Sequence, residues 1–253
     1  MSKDRVRQLF VVLASVVMIT VNTLANALPI NGINTGAVSD MFKVYFVPAG
    51  YVFSIWGLIY LLLIAFTVYQ ALPAQRENAA LRKIGWGYVA GSLANTVWIF
   101  TWHYQVFALT IVFMLILLVS LIAIYTKLEI GKKAVSPAMR WLVHLPFSVY
   151  LGWITVATIA NATDVLSLTA WNGFGIDGKV WAVIMMAVAV VVAALVALTR
   201  RDVAYLLVLV WAFIGIGLKF SGVSPVEIGA FVAAGAVVIL VLVALLRKPQ
   251  GTK

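Results

Sequence analysis

The chain reads as an all-α, polytopic membrane helix bundle of about eight transmembrane helices. Three observations predict it. Hydrophobic residues make up 64% of the 253 and charged residues only 10%, far too few to coat a soluble domain of this length. Runs of about 20 apolar residues, the length that crosses a bilayer core, recur along the whole chain. They are separated by short polar breaks such as "PAQRENAALRK" and "KLEIGKKAVSPAMR", and the alternation of barrel strands is missing.

The candidate spans are roughly 9–28, 48–71, 85–103, 106–126, 141–161, 180–199, 203–219 and 226–246. The first has a basic leader and a cleavage-like Ala25-Asn26-Ala27 triplet, but its apolar run is long for a signal peptide, so a retained span is expected. The net charge of +10 does not point to nucleic acid, because its distribution is topogenic. With a cytoplasmic N-terminus, the inner segments hold Lys3, Arg5, Arg7, Arg76, Arg82, Lys83, Lys127, Lys132, Lys133, Arg140, Arg200, Arg201, Arg247, Lys248 and Lys253. Only Lys43, Lys179 and Lys219 fall on the outer side. Both termini are thus expected in the cytoplasm, with the lipid bilayer as partner and affinity for anionic lipid.

No Asp, Glu, Lys or Arg lies in the interior of a span so drawn, which disfavours pumps and ion-coupled carriers. Cysteine is absent, so thiolate metal sites and cysteine nucleophiles are excluded. His103 and His144 fall at opposite membrane faces, too far apart to ligate one haem iron, and each is expected at an interface. No P-loop, dinucleotide fingerprint, metal cluster or acid–base pair is present, so no catalytic or metal-binding residue is assigned.

The informative residues are aromatic and uncharged polar. In the second span Phe53, Trp56 and Tyr60 fall at i, i+3 and i+7, one stripe of a helix. In the third, Gly91, Asn95, Trp98 and Trp102 fall at i, i+4, i+7 and i+11, and the fifth carries Pro146, Tyr150, Trp153 and Asn161 on a comparable face. The helical rise puts Trp56 and Trp153 about 12 Å and Trp98 about 7–8 Å below the outer end. Stripes converging at that depth make either a ring-lined pocket with a few amides or plain interhelical packing, and spacing leaves both readings open. Trp86, Trp102, Trp141, Trp171 and Trp181 are expected to be interfacial anchors.

Three of these blocks carry a resemblance. Pro48 through Phe53-Ser-Ile-Trp56-Gly-Leu-Ile-Tyr60 resembles the "P-x-x-W-V-F-x-P-V-W-x-x-L-Y" signature of the TspO/MBR family, the tryptophan-rich sensory proteins that include the mitochondrial translocator protein. "GSLANTVWIFTW" is similar to the family's third-helix Asn…Trp pattern at Asn95 and Trp98, and "LPFSVYLGWITVATIAN" to its fifth-helix pattern at Tyr150, Trp153 and Asn161. The sequence departs from the family at Tyr45 or Phe46, Tyr51, Ser54 and Val149, where the signature has Trp, Trp, Pro and Pro.

The resemblance covers roughly residues 1–165 and implies a five-helix core, followed by a three-helix extension over 166–253. It implies a pocket for a porphyrin, another tetrapyrrole or a sterol-like molecule, with Trp56, Asn95, Trp98, Tyr150 and Trp153 among its lining and the 29–47 loop as a lid. With Phe53, Tyr60 and Asn161 added from the stripes, these are the expected ligand-binding residues. No cofactor is required, and a porphyrin or haem-like molecule is the candidate ligand. Binding would serve sensing, sequestration or passage. An uncoupled permease for a small apolar solute is the alternative, and enzymatic turnover is left open. In the extension, Gly229 and Ala233 show small-xxx-small spacing suited to helix packing, as do Gly87 and Gly91 in the third span. The extension is expected to cover a face that shorter relatives use for self-association, and a homo-oligomer is left open.

Overall fold

Backbone groups in these apolar runs have no water to bond with, so each run closes its hydrogen bonds within a helix. The computed structural model describes residues 2–28, 30–169 and 171–247; Lys248 and Lys253, counted above among the inner charges, lie outside them. The long helices are α1 (Lys3–Ala27), α2 (Ile55–Ala71), α3 (Ala79–His103), α4 (Phe107–Lys127), α5 (Leu145–Ser167), α6 (Gly178–Arg200), α7 (Val203–Lys219) and α8 (Val226–Leu246). Side-chain oxygens cap several N-termini: Ser2 accepts from the Arg5 amide, Asn78 from Ala80, Asp177 from Lys179 and Asp202 from Tyr205. Pro146 has no N–H to donate, and α5 is reached through a π turn, Arg140–His144, in which the Leu145 amide bonds the Arg140 carbonyl.

The protein is an all-α, multi-span membrane bundle. Among the described residues, six helices are long and apolar enough to cross a membrane: α1, α2 with its lead-in turn, α4, α5 with its lead-in, α6 and α8. The other two fall outside that set for different reasons. α7 has only 17 residues. α3 is long, but its Trp, Tyr, Gly and Asn residues dilute its hydropathy.

α3 packs along α4 and α1, α2 bridges α1 and α5, and α4 lies against α5. The last three helices form their own group, with α8 against both α6 and α7. The two groups meet chiefly where α5 lies on α7. Gly152 permits the close approach: a Cβ there would sit 3.0 Å from the Tyr205 carbonyl oxygen and 3.1 Å from Val208 Cβ. Beside it, the Tyr205 hydroxyl donates to Thr155 Oγ1 at 3.1 Å. Gly87 and Gly91 face α4, and Gly229 faces Val183 of α6, as their spacing predicts.

Basic residues gather at one end of the bundle. Arg82 forms a two-pronged pair with Asp4, the Arg7 guanidinium donates to the Arg76 carbonyl at 2.8 Å, and Arg201 donates to the Arg247 carbonyl at 3.1 Å. At the opposite end α7 holds the long loop between α1 and α2. The Ala49 amide bonds the Gly215 carbonyl at 3.2 Å, the Trp211 indole N–H bonds the Val52 carbonyl at 3.1 Å, and Lys219 pairs with Asp40 at 2.7 Å. Gly215 makes this contact possible, since a Cβ there would lie 2.2 Å from Val52 Cγ2.

Overpacking this contact is therefore costly. Gly215→Leu is expected to destabilise the protein by about 1–3 kcal/mol, seen as a lower midpoint of thermal unfolding in detergent. Gly235→Ala, where nothing lies within 4 Å of the new Cβ, is the matched control and should leave the midpoint unchanged or raise it. Equal behaviour of the two variants would contradict the close approach.

Candidate functional site

α2, α3 and α5 each turn their aromatic stripe inward, and the stripes meet. The Trp56 and Trp153 rings contact edge to face at 6.2 Å, Phe53 meets Trp153 at 5.7 Å, and Tyr60 stacks on Trp56 at 5.6 Å. From α3, Trp98 and Trp102 stack on one another at 5.4 Å. Such pairs contribute about 0.5–1.5 kcal/mol each beyond the area they bury. Between the rings lies a cavity of about 40 Å³. Phe53, Trp56, Trp98, Trp153 and Asn161 line it together with Trp102, Asp164 and, from the loop, Thr35 and Pro48.

Three of the expected residues, Tyr60, Asn95 and Tyr150, are not on the cavity wall. Asn95, fully buried, accepts from Asn22 Nδ2 at 2.7 Å and donates to the Tyr150 hydroxyl at 2.7 Å. A second set of bonds runs nearer the cavity. The Trp98 indole N–H reaches Asn161 Oδ1 at 3.3 Å, and Asn161 Nδ2 donates to Thr110 Oγ1 at 2.8 Å. The two sets tie α1, α3, α4 and α5 together through side chains that have no water to turn to.

The loop roofs the cavity. Its short helix, Thr35–Ser39, is capped by Asn34, and farther along the loop Phe46 and Val47 are buried. The Thr35 carbonyl accepts from the Trp102 indole at 3.1 Å. The His103 ring bridges the Ile30 carbonyl, 3.0 Å from Nδ1, and the Thr35 hydroxyl, 3.0 Å from Nε2. A carbonyl can only accept, so Nδ1 carries the proton, and in the neutral ring Nε2 accepts from Thr35.

Three expectations are corrected here. Trp102 is not an interfacial anchor: it is 3% exposed, because the loop folds over the end of α3 and Phe42 stacks on its ring. His103 is fully buried for the same reason rather than lying at an interface. The absence of acidic residues inside the spans also fails, because α5 continues to Ser167 and carries Asp164 inward, 1% exposed. The periodicity held a signal for both cavity residues. Trp102 sits four residues after Trp98 on the same stripe, and Asp164 extends the Trp153–Asn161 stripe by one turn. Trp86, Trp141 and Trp171 are exposed, in keeping with an anchoring role. Among the described residues no group of three or more His, Asp or Glu is placed to hold a metal ion.

Comparison with known proteins gives one finding. A family model described as "TSPO-like protein" matches residues 8–245, running past residue 165 into the last helix. No curated protein and no solved structure matches the chain.

The amide network makes a stability prediction. Asn95→Ala removes one partner from Asn22 and one from the Tyr150 hydroxyl, leaving each its bond to Met18, and is expected to cost about 1–3 kcal/mol in detergent unfolding. Tyr60→Phe removes a hydroxyl outside this network and should stay within about 0.5 kcal/mol of the parent. A neutral Asn95→Ala would mean that the network does not hold the helices.

Proposed function

The chain belongs to the TspO/MBR family, and from that premise we propose that it binds a planar hydrophobic molecule, a tetrapyrrole or sterol-like ligand, among the indoles of α2, α3 and α5. The observation that carries this reading is the meeting of Trp56, Trp98 and Trp153 around one cavity beneath the outer loop. Flat aromatic walls with a few fixed hydrogen-bonding groups are the chemistry of a site for a flat apolar guest. Proposed roles are stacking for Phe53, Trp56, Trp98 and Trp153, and orientation by Asn161. Tyr60, Asn95 and Tyr150 act one layer back by holding the walls in place.

A cavity of about 40 Å³ accommodates a water or two, against the several hundred Å³ that small-molecule pockets typically offer. The described conformation is therefore the closed one, and uptake requires the loop to lift and the rings to part. The loop's fastenings to α7, the Lys219–Asp40 pair and the two bonds to Gly215 and from Trp211, make the three-helix extension over 166–253 the partner of the 1–165 core in this motion. All eight long helices cross the bilayer in this reading. The basic end, with both termini, faces the cytoplasm of a bacterial cell, and the loop faces outward.

Titration of the detergent-purified protein with protoporphyrin, followed in both the Soret band and tryptophan emission, tests the proposal. Saturable quenching is expected, weakened by about tenfold or more in Trp56→Ala/Trp153→Ala. Trp141→Ala, which removes an exposed ring, should leave the affinity unchanged. Non-saturable quenching, or equal affinity in all three proteins, would overturn it. Asp40→Asn, which weakens the fastening of the loop to Lys219, is expected to speed porphyrin association and dissociation in stopped-flow quenching. Unaltered rates would remove the loop from the pathway.

A further inference from the structure

Most polar groups around the cavity already have partners. The Trp98 indole is bonded to Asn161, Asn161 to Thr110, the Trp102 indole to the Thr35 carbonyl and the Thr35 hydroxyl to His103. Two groups are different. Asp164 Oδ1 and Trp153 Nε1 are both buried on the cavity wall, and neither has a hydrogen-bond partner. The residues are 1% and 2% exposed. A buried acceptor or donor left unmade costs roughly 1–3 kcal/mol, so the wall presents one orphan of each kind.

Their placement is also informative. Trp153 and Asp164 are eleven residues apart on α5, about three turns and ~16 Å along the axis, and project from one face. Asp164 lies at the end nearest the loop. Of the cations at that end, Lys219 is engaged by Asp40 at 2.7 Å, and no hydrogen bond reaches Asp164 Oδ1. A carboxyl oxygen without a partner, on a cavity wall otherwise built largely of rings and of Val156, Ala157 and Ala160, is matched by a donor carried into the cavity from outside.

Building on the proposed ligand site, we infer that Asp164 selects flat aromatic ligands carrying a nitrogen donor, an ammonium or ring N–H, at the end nearest the loop. The ring system lies among Trp56, Trp98 and Trp153, the nitrogen donates to Asp164 Oδ1, and Trp153 Nε1 donates to an acceptor toward the ligand's other end. A neutral hydrocarbon of the same outline fills the same space and leaves Asp164 unpaired.

The test compares 9-aminoacridine, a planar three-ring cation at neutral pH, with 9-methylanthracene, which has nearly the same outline and no nitrogen. Both are titrated by tryptophan quenching against the full chain in detergent. The parent protein is expected to prefer 9-aminoacridine by about tenfold or more. Asp164→Asn, nearly the same shape, should bring the two affinities within about twofold, while Asp164→Glu retains part of the preference. Thermal unfolding of each variant establishes that it is folded. If both probes bind and the preference is the same in Asp164→Asn, Asp164 does not select the ligand, although the ligand site stands. If neither probe binds the folded parent protein, the ligand site itself fails, and this inference with it.

Discussion

A carboxamide inside a bilayer has no water to fall back on, and that constraint orients the core of this protein. Asn95 cannot face lipid without losing its hydrogen bonds, so α3 turns it toward Asn22 of α1 and Tyr150 of α5. Asn161 does the same between Trp98 and Thr110. Once these amides are paired, the helical repeat dictates the rest. Trp98 and Trp102 follow Asn95 on its face, Trp153 lies three residues after Tyr150, and the indoles are driven inward. The ring cluster is thus a consequence of satisfying a few amides in a medium that offers no alternative partner.

The C-terminal helices act on this core from two sides. Along the middle, Gly152 lets α5 and α7 approach almost to backbone contact. At the loop end, Gly215, Trp211 and Lys219 of α7 hold the segment that roofs the cavity. One helix thereby touches both the wall and the roof of the candidate site. Its polar contacts with the loop are one ion pair and two hydrogen bonds, beside the packing of Val52 and Pro48 on Gly215 and of Tyr51 on Trp211. Opening the roof therefore means parting these contacts together with those from Trp102 and His103 of α3.

Much of this was legible from residue order alone. Helices and their approximate limits followed from apolar runs, and the inward faces of α2, α3 and α5 followed from rings and amides repeating at the helical period. The parts that were not legible share a physical cause. Trp102 and His103 stand at the end of a span, where an aromatic residue anchored at the interface and one buried under a loop have the same local sequence. What decides between them is the fold of residues 30–48, which has no periodicity to read. Asp164 was hidden by a boundary: Thr163 and Asp164 resemble the start of a loop, yet α5 continues past them. The volume between the rings was equally invisible, because periodicity gives the direction of a side chain and not the distance between opposing walls.

The central claim is that indoles from three helices part to admit a flat guest. The direct measurement is an experimental structure of the protein soaked with a brominated planar aromatic, located by the anomalous signal of bromine. The account predicts one bromine peak between the Trp56, Trp98 and Trp153 rings, with Trp56 and Trp153 farther apart than 6.2 Å and the loop displaced. Bromine found only along the lipid-facing surface, with the rings still in contact and the loop still fastened to α7, would contradict it.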